Sequence, residues 1–99
     1  MQSTIKKENG TLFIGVTGRL DTVTSAELMQ TLEVEGFDGV DIDFDFAGVE
    51  YISSAGLRLI LALHKQSAET ANTLTVRNVN KVVAEILKVS GFDKSLNIV

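Results

Sequence analysis

Asp41, Asp43 and Asp45 stand at alternate positions, the spacing that sets carboxylates about 6.6 Å apart on one face of a β-strand, where a divalent cation could be held. Their neighbours do not complete such a site. Read as a calcium loop that begins at Asp41, the sixth position is Phe46 where the turn needs glycine, and the twelfth is Ile52 where the loop needs glutamate. A solvated acidic strand face is the better reading, and no metal is expected. Asp45 has a second candidate chemistry, acyl-phosphate formation at the C-terminal edge of a parallel sheet. An aspartyl-phosphate receiver needs a longer chain, an acidic pair beside the acceptor and a lysine near the last strand, whereas Asp21 stands alone before the first helix. His64 falls inside a helix with no nucleophile to serve, and Gly15-Val16-Thr17-Gly18 matches neither a dinucleotide fingerprint nor a phosphate loop. The expectation is no enzyme and no cofactor.

The second place where chemistry is conceivable is the run from Asp45 to Arg58, DFAGVEYISSAGLR, read as a loop from a strand to a helix that ends in small residues. Ser53, Ser54, Ala55 and Gly56 would let a foreign backbone or a phosphate approach a helical first turn, whose N–H groups are unpaired and whose dipole end is positive. That is a place for an anion. Ser53 or Ser54 also suits a plain N-cap, which by itself accounts for a serine before a leucine-rich helix. Phosphorylation there would add about −1.5 to −2 charge, with Arg58 one turn beyond Ser54 to accommodate it.

The elements that must hold this segment follow from changes of hydrophobic period. Asn9-Gly10 predicts a two-residue hairpin between strands around Ile5 and Leu12–Val16. Thr24-Ser25-Ala26-Glu27 matches a capping box, with helix one running from it to about Val34. Val40, Ile42, Phe44 and Phe46 alternate with the aspartates as a third strand, and helix two follows from Leu57. Thr73–Val76 forms a fourth strand, Asn80 caps helix three, Gly91 stops it, and Leu96–Val99 adds a short last strand. The order β-β-α-β-α-β-α-β predicts an α/β fold, a mixed and mostly parallel sheet covered by helices, in a single domain over residues 1–99.

With 99 residues there is room for one core, and 44% apolar with 22% charged side chains places the chain among ordinary globular domains. A net charge of −4 has the wrong sign for a nucleic-acid binder. The absence of cysteine removes disulfides, zinc thiolates and thiol nucleophiles, and fits a reducing cytoplasm. No signal-peptide core follows the N-terminal charges, and no apolar run approaches the ~20 residues of a membrane span.

The run Asp45 to Arg58, together with Gly18-Arg19-Leu20-Asp21 ahead of helix one, resembles the signature of the STAS domain, the family named for sulfate transporters and anti-sigma factor antagonists. The resemblance extends over essentially the whole chain. Free-standing members of this size resemble bacterial anti-sigma factor antagonists, which bind an anti-sigma factor serine kinase when unphosphorylated and lose it on phosphorylation; a serine phosphatase would reset them. The family's phosphorylated serine, two residues before the motif glycine, falls on Ser54. Ser53 takes the place of the motif's aspartate and Ala55 that of its second hydroxyl residue.

The implied partner face comprises Arg19, Asp21, Ser53, Ala55, Gly56 and Arg58 around Ser54, with Asp21 equally readable as a cap for Thr22 to Thr24. Asp21 and Glu50, if close to Ser54, would repel its phosphate. The alternative function is a constitutive scaffold, a STAS subunit of a membrane transporter system that docks through the same turn without modification.

Overall fold

Asn9 and Gly10 take φ values of 52° and 80°, the pair of positive angles that a type I′ turn requires, and so fold β1 (Gln2–Glu8) back on β2 (Thr11–Leu20). The computed structural model describes residues 2–94 and 96–99. After the hairpin come α1 (Thr22–Glu35), β3 (Asp41–Ile52), α2 (Ser54–Glu69), β4 (Leu74–Arg77), α3 (Lys81–Val89) and, beyond a 3-10 turn at Phe92–Lys94, β5 (Asn97–Ile98). This is the predicted order. The strands lie in sequence as β1-β2-β3-β4-β5, antiparallel in the first pair and parallel in the rest.

The covering is one-sided. Buried strand residues such as Leu12, Ile14, Ile42, Phe44, Phe46, Leu74 and Val76 belong to one alternation and one core with Leu28 and Leu32 of α1, Ile60 and Leu63 of α2, and Val83 and Leu87 of α3. Adjacent parallel strands joined by crossovers of one hand place every helix on the same side, which leaves the opposite sheet face to solvent. Phe44 and Phe46, two apart on β3, share the inner face and meet edge to face at 4.8 Å between ring centroids.

Two boundaries differ from the sequence expectation. Helix α1 is capped by Asp21 instead of Thr24: the Asp21 carboxylate accepts the Thr24 N–H at 3.0 Å while the Thr24 hydroxyl accepts the Asp21 N–H at 2.9 Å. Thr24 therefore sits at N3 of the capping box, and the Thr24–Glu27 match is a coincidence of spacing. Strand β3 also continues through the segment read as a loop, as far as Ile52. Its pairing with β2 shifts between Gly15 and Thr17 and again between Gly18 and Arg19, each shift placing an extra residue on β3. Bulges of this kind alter which face a side chain meets. Burial consequently falls on Phe46, Val49 and Ile52, at a spacing of three in place of two.

Candidate functional site

The C-terminal ends of β2 and β3 stand side by side, Leu20 opposite Ile52, and the Ser53 N–H donates to the Leu20 carbonyl at 2.8 Å. This bond ties the entrance of α2 to the entrance of α1. Ser53, half-buried and extended at φ −92°, is the N-cap: its Oγ accepts the Gly56 N–H at 3.4 Å. Ser54 is then the first helical residue, and it is exposed. A hydroxyl at that position faces solvent beside N–H groups with no intrahelical acceptor, where added negative charge is favoured by the dipole.

Gly56 does not belong to the accessible surface. A Cβ there would lie 2.6 Å from Ile52 Cγ1 and 2.8 Å from the Leu20 carbonyl oxygen, so the first turn of α2 rests directly on the end of β2. The expected role for this small residue, room for a foreign backbone, is corrected to room for the chain's own backbone. Gly48 serves the same closeness at the β3 bulge, where a Cβ would meet Thr17 Cγ2 at 2.6 Å. Nothing in the period of the sequence marks it.

The other expected residues divide between the two sides of this edge. Ala55 and Arg58 line a groove between α1 and α2 together with Thr22, Ala26, Met29 and Leu59. Arg19 turns to the open sheet face, its guanidinium 4.6 Å from the centroid of the Tyr51 ring. Asp21 works as the α1 cap, and the Thr24 N–H and hydroxyl hold its carboxyl below the usual carboxylate range. Glu50 is exposed near the C-terminal end of β3. The leucine between Arg19 and Asp21 is fully buried and anchors the turn.

The aspartate row has a different occupation from the one expected. Asp41 accepts the Thr73 N–H at 2.9 Å and the Asn72 amide at 3.2 Å. Asp43 accepts from Arg77 Nε at 2.5 Å, and Asp45 accepts from the Asn78 amide and the Ala47 N–H, both at 2.9 Å. The row is a set of clamps from β3 onto β4 and its flanking turns. Hydrogen bonds from Thr73 and Asn72 lower the Asp41 pKa, and those from Asn78 and Ala47 lower that of Asp45. Asp45 lies within the strand, well before its C-terminal edge at Ile52, so the receiver-type acceptor position is also corrected. Among the described residues no group of three or more His, Cys, Asp or Glu is arranged to hold a metal ion.

His64 sits at the boundary of α2, half-buried, with Nδ1 enclosed and without a hydrogen-bond partner among the described residues. No helix among the described residues is long and apolar enough to cross a membrane.

The family model described as "Mlab, STAS domain" matches residues 3–99. BtrV of Bordetella bronchiseptica, which bears the name of an anti-sigma factor antagonist, is 29% identical over 93 residues, 93% of this chain and 80% of that protein. The crystal structure of TM1081 from Thermotoga maritima, described in the same terms, superposes with a TM-score of 0.85 at 16% identity, over 97% of this chain and 84% of that one. The anti-sigma factor antagonist SpoIIAA in its unphosphorylated form gives 0.80 at 18% identity, over 99% and 88%. At these identities the two solved structures share the fold.

Proposed function

The chain belongs to the STAS domain family, and we propose that it is an anti-sigma factor antagonist, a binding module switched by phosphorylation of Ser54. The observation that carries this reading is the exposure of Ser54 at the first position of α2, in the place of the family's modified serine. The name of BtrV and the fold shared with SpoIIAA support it.

Unmodified, the edge formed by the α2 entrance and the Arg19–Asp21 turn docks on an anti-sigma factor kinase and keeps it from its sigma factor. The kinase transfers the γ-phosphoryl group of ATP to Ser54 Oγ: the new O–P bond forms as the bond to ADP breaks, and the hydroxyl proton leaves. The protein is the substrate of this step and supplies no catalytic group. A dianionic phosphate brought against a partner carboxylate costs several kcal/mol, and about 1.4 kcal/mol already changes affinity tenfold. Release follows from that difference. The phosphate sits at a helix N-terminus that favours it, so the fold survives the change of surface. A serine phosphatase then restores the binding state.

The test is incubation with a purified kinase-type anti-sigma factor and labelled ATP, with Ser54→Ala as control. Label confined to Ser54 and loss of the complex on labelling are expected; a stable complex that takes no label at Ser54 overturns the switch. One observation favours a second reading, a scaffold subunit of a transporter system. Ser53 replaces the motif's aspartate and its hydroxyl is engaged as the helix cap, so no carboxylate stands beside the Ser54 hydroxyl from that position. Absence of label on Ser54 is the result that reading expects.

A further inference from the structure

Of the three arginines, Arg77 is paired with Asp43 and Asp45, and Arg19 lies over Tyr51. Arg58 forms neither an ion pair nor a hydrogen bond with any described residue. It stands four residues after Ser54, on the neighbouring turn of the same exposed face. Side chains on a helix lean toward its N-terminus, which directs Arg58 back toward the turn of Ser54, and Arg58 also lines the α1–α2 groove.

That groove measures about 290 Å³, and its walls are small or apolar: Thr22, Ala26 and Met29 on one side, Ala55 and Leu59 on the other. Arg58 is the charged residue of its lining. None of the α1 carboxylates Glu27, Glu33 and Glu35 lines this groove: Glu27 and Glu33 border an adjoining depression that shares Thr22, Ala26 and Met29 with it. An apolar side chain entering the groove therefore meets uncompensated positive charge on the α2 wall. A ligand segment that carries a carboxylate next to its apolar anchor is the complement of this arrangement.

We propose that Arg58 is a switched contact: in the unmodified protein it binds a carboxylate on the partner segment seated in the α1–α2 groove, and phosphoserine 54 takes the same guanidinium across one helical turn. Modification then acts twice, adding charge at the interface and removing the cation that the partner's carboxylate used. A guanidinium binds a phosphate dianion with two parallel N–H···O bonds, and its geometry suits that ligand at least as well as a carboxylate. The inference rests on the reading of Ser54 as the acceptor, and it specifies the chemistry of the partner: an apolar residue with an adjacent Asp or Glu.

Two measurements separate the inference from that reading. In the full-length protein with phosphoserine installed at position 54 during translation, ³¹P NMR follows the second phosphate ionisation, ordinarily near pH ~6. With Arg58 engaged, the midpoint is lowered; in Arg58→Gln it lies about half a pH unit higher, while Lys65→Gln leaves it in place. Equal midpoints for wild type and Arg58→Gln overturn the intramolecular half, whether or not any kinase is known.

The second measurement is calorimetric binding of the unmodified protein to the anti-sigma factor. Arg58→Gln weakens it tenfold or more, Arg58→Lys recovers part of the loss, and Ala62→Met, at a further α2 residue of the groove lining, narrows the groove and weakens binding without moving the ³¹P midpoint. Undiminished affinity of Arg58→Gln overturns the partner half and leaves the antagonist reading standing. Absence of binding by the wild-type protein overturns the antagonist reading itself.

Discussion

Two polar surfaces of this protein differ in how much of their hydrogen-bonding capacity folding uses up. The aspartate row on β3 concentrates charge and looks like a site, yet its carboxylates reach across to Thr73, Arg77 and Asn78 and are engaged in holding β4. The entrance of α2 offers only two serines and an arginine, yet Ser54 is exposed and Arg58 has no partner among the described residues. Hydrogen-bonding capacity left over after folding, more than density of charge, is what a surface can offer a partner. Groups already satisfied inside the chain have little left to offer a partner.

The largest effect expected from disturbing this contrast lies beneath the proposed docking edge. Gly56→Ala forces a methyl against Ile52 and the Leu20 backbone and should destabilise by about 2–3 kcal/mol in urea titrations, with loss of binding because the edge itself shifts. A neutral outcome would mean that the entrance of α2 is not held against β2. Asp43→Asn removes the ion pair with half-exposed Arg77, for an expected cost of about 1 kcal/mol and no change in phosphorylation at Ser54. If that variant lost partner binding at full stability, the aspartate row would be a recognition surface after all.

Acid sharpens the same distinction. Asp41 and Asp45 have lowered pKa values in the folded state, through hydrogen bonds from Thr73 and Asn78 first of all. The unfolded chain therefore binds protons more readily. The stabilisation is complete above the ordinary aspartate pKa of about 4 and is lost as pH falls through the folded values. Urea midpoints measured on descending from about pH 5 should drop, and Asp45→Asn should make the drop shallower. A slope unchanged in that variant would remove Asp45 from the clamp.

The smallest effects belong to the serines. Ser53→Ala removes a long capping bond and should cost about 0.5 kcal/mol while leaving the Ser54 hydroxyl open to modification. Ser54→Ala should move stability by less than about 0.5 kcal/mol, as exposed positions do, and abolish labelling completely. A stability loss comparable to that of Gly56→Ala would show that Ser54 is structural.

Much of this was legible along the chain because it depends on near neighbours. Asn9-Gly10, the Asn80 cap, the alternation from Val40 to Phe46 and the serine entrance of α2 are short-range signals, and each marks an element of the structure, although β3 runs on past that alternation to Ile52. The α1 cap was ambiguous because Asp21–Thr24 and Thr24–Glu27 both fit a three-residue spacing. Local pattern cannot choose between them, and the Thr24 hydroxyl chooses by also donating to the Arg19 carbonyl at 2.7 Å.

The sequence by itself determined the kinds and order of the elements, since backbone preferences and hydrophobic period act over a few residues. It determined equally that the chain carries no thiol, and its resemblance to the STAS signature marks Ser54 as the proposed acceptor. Only the tertiary structure decided which polar groups remain free. The β3 bulges, the pairing of the aspartates with β4 and the burial of Gly56 against β2 all join residues far apart in the chain or displaced in register. Such contacts depend on packing between elements, and no local pattern records them.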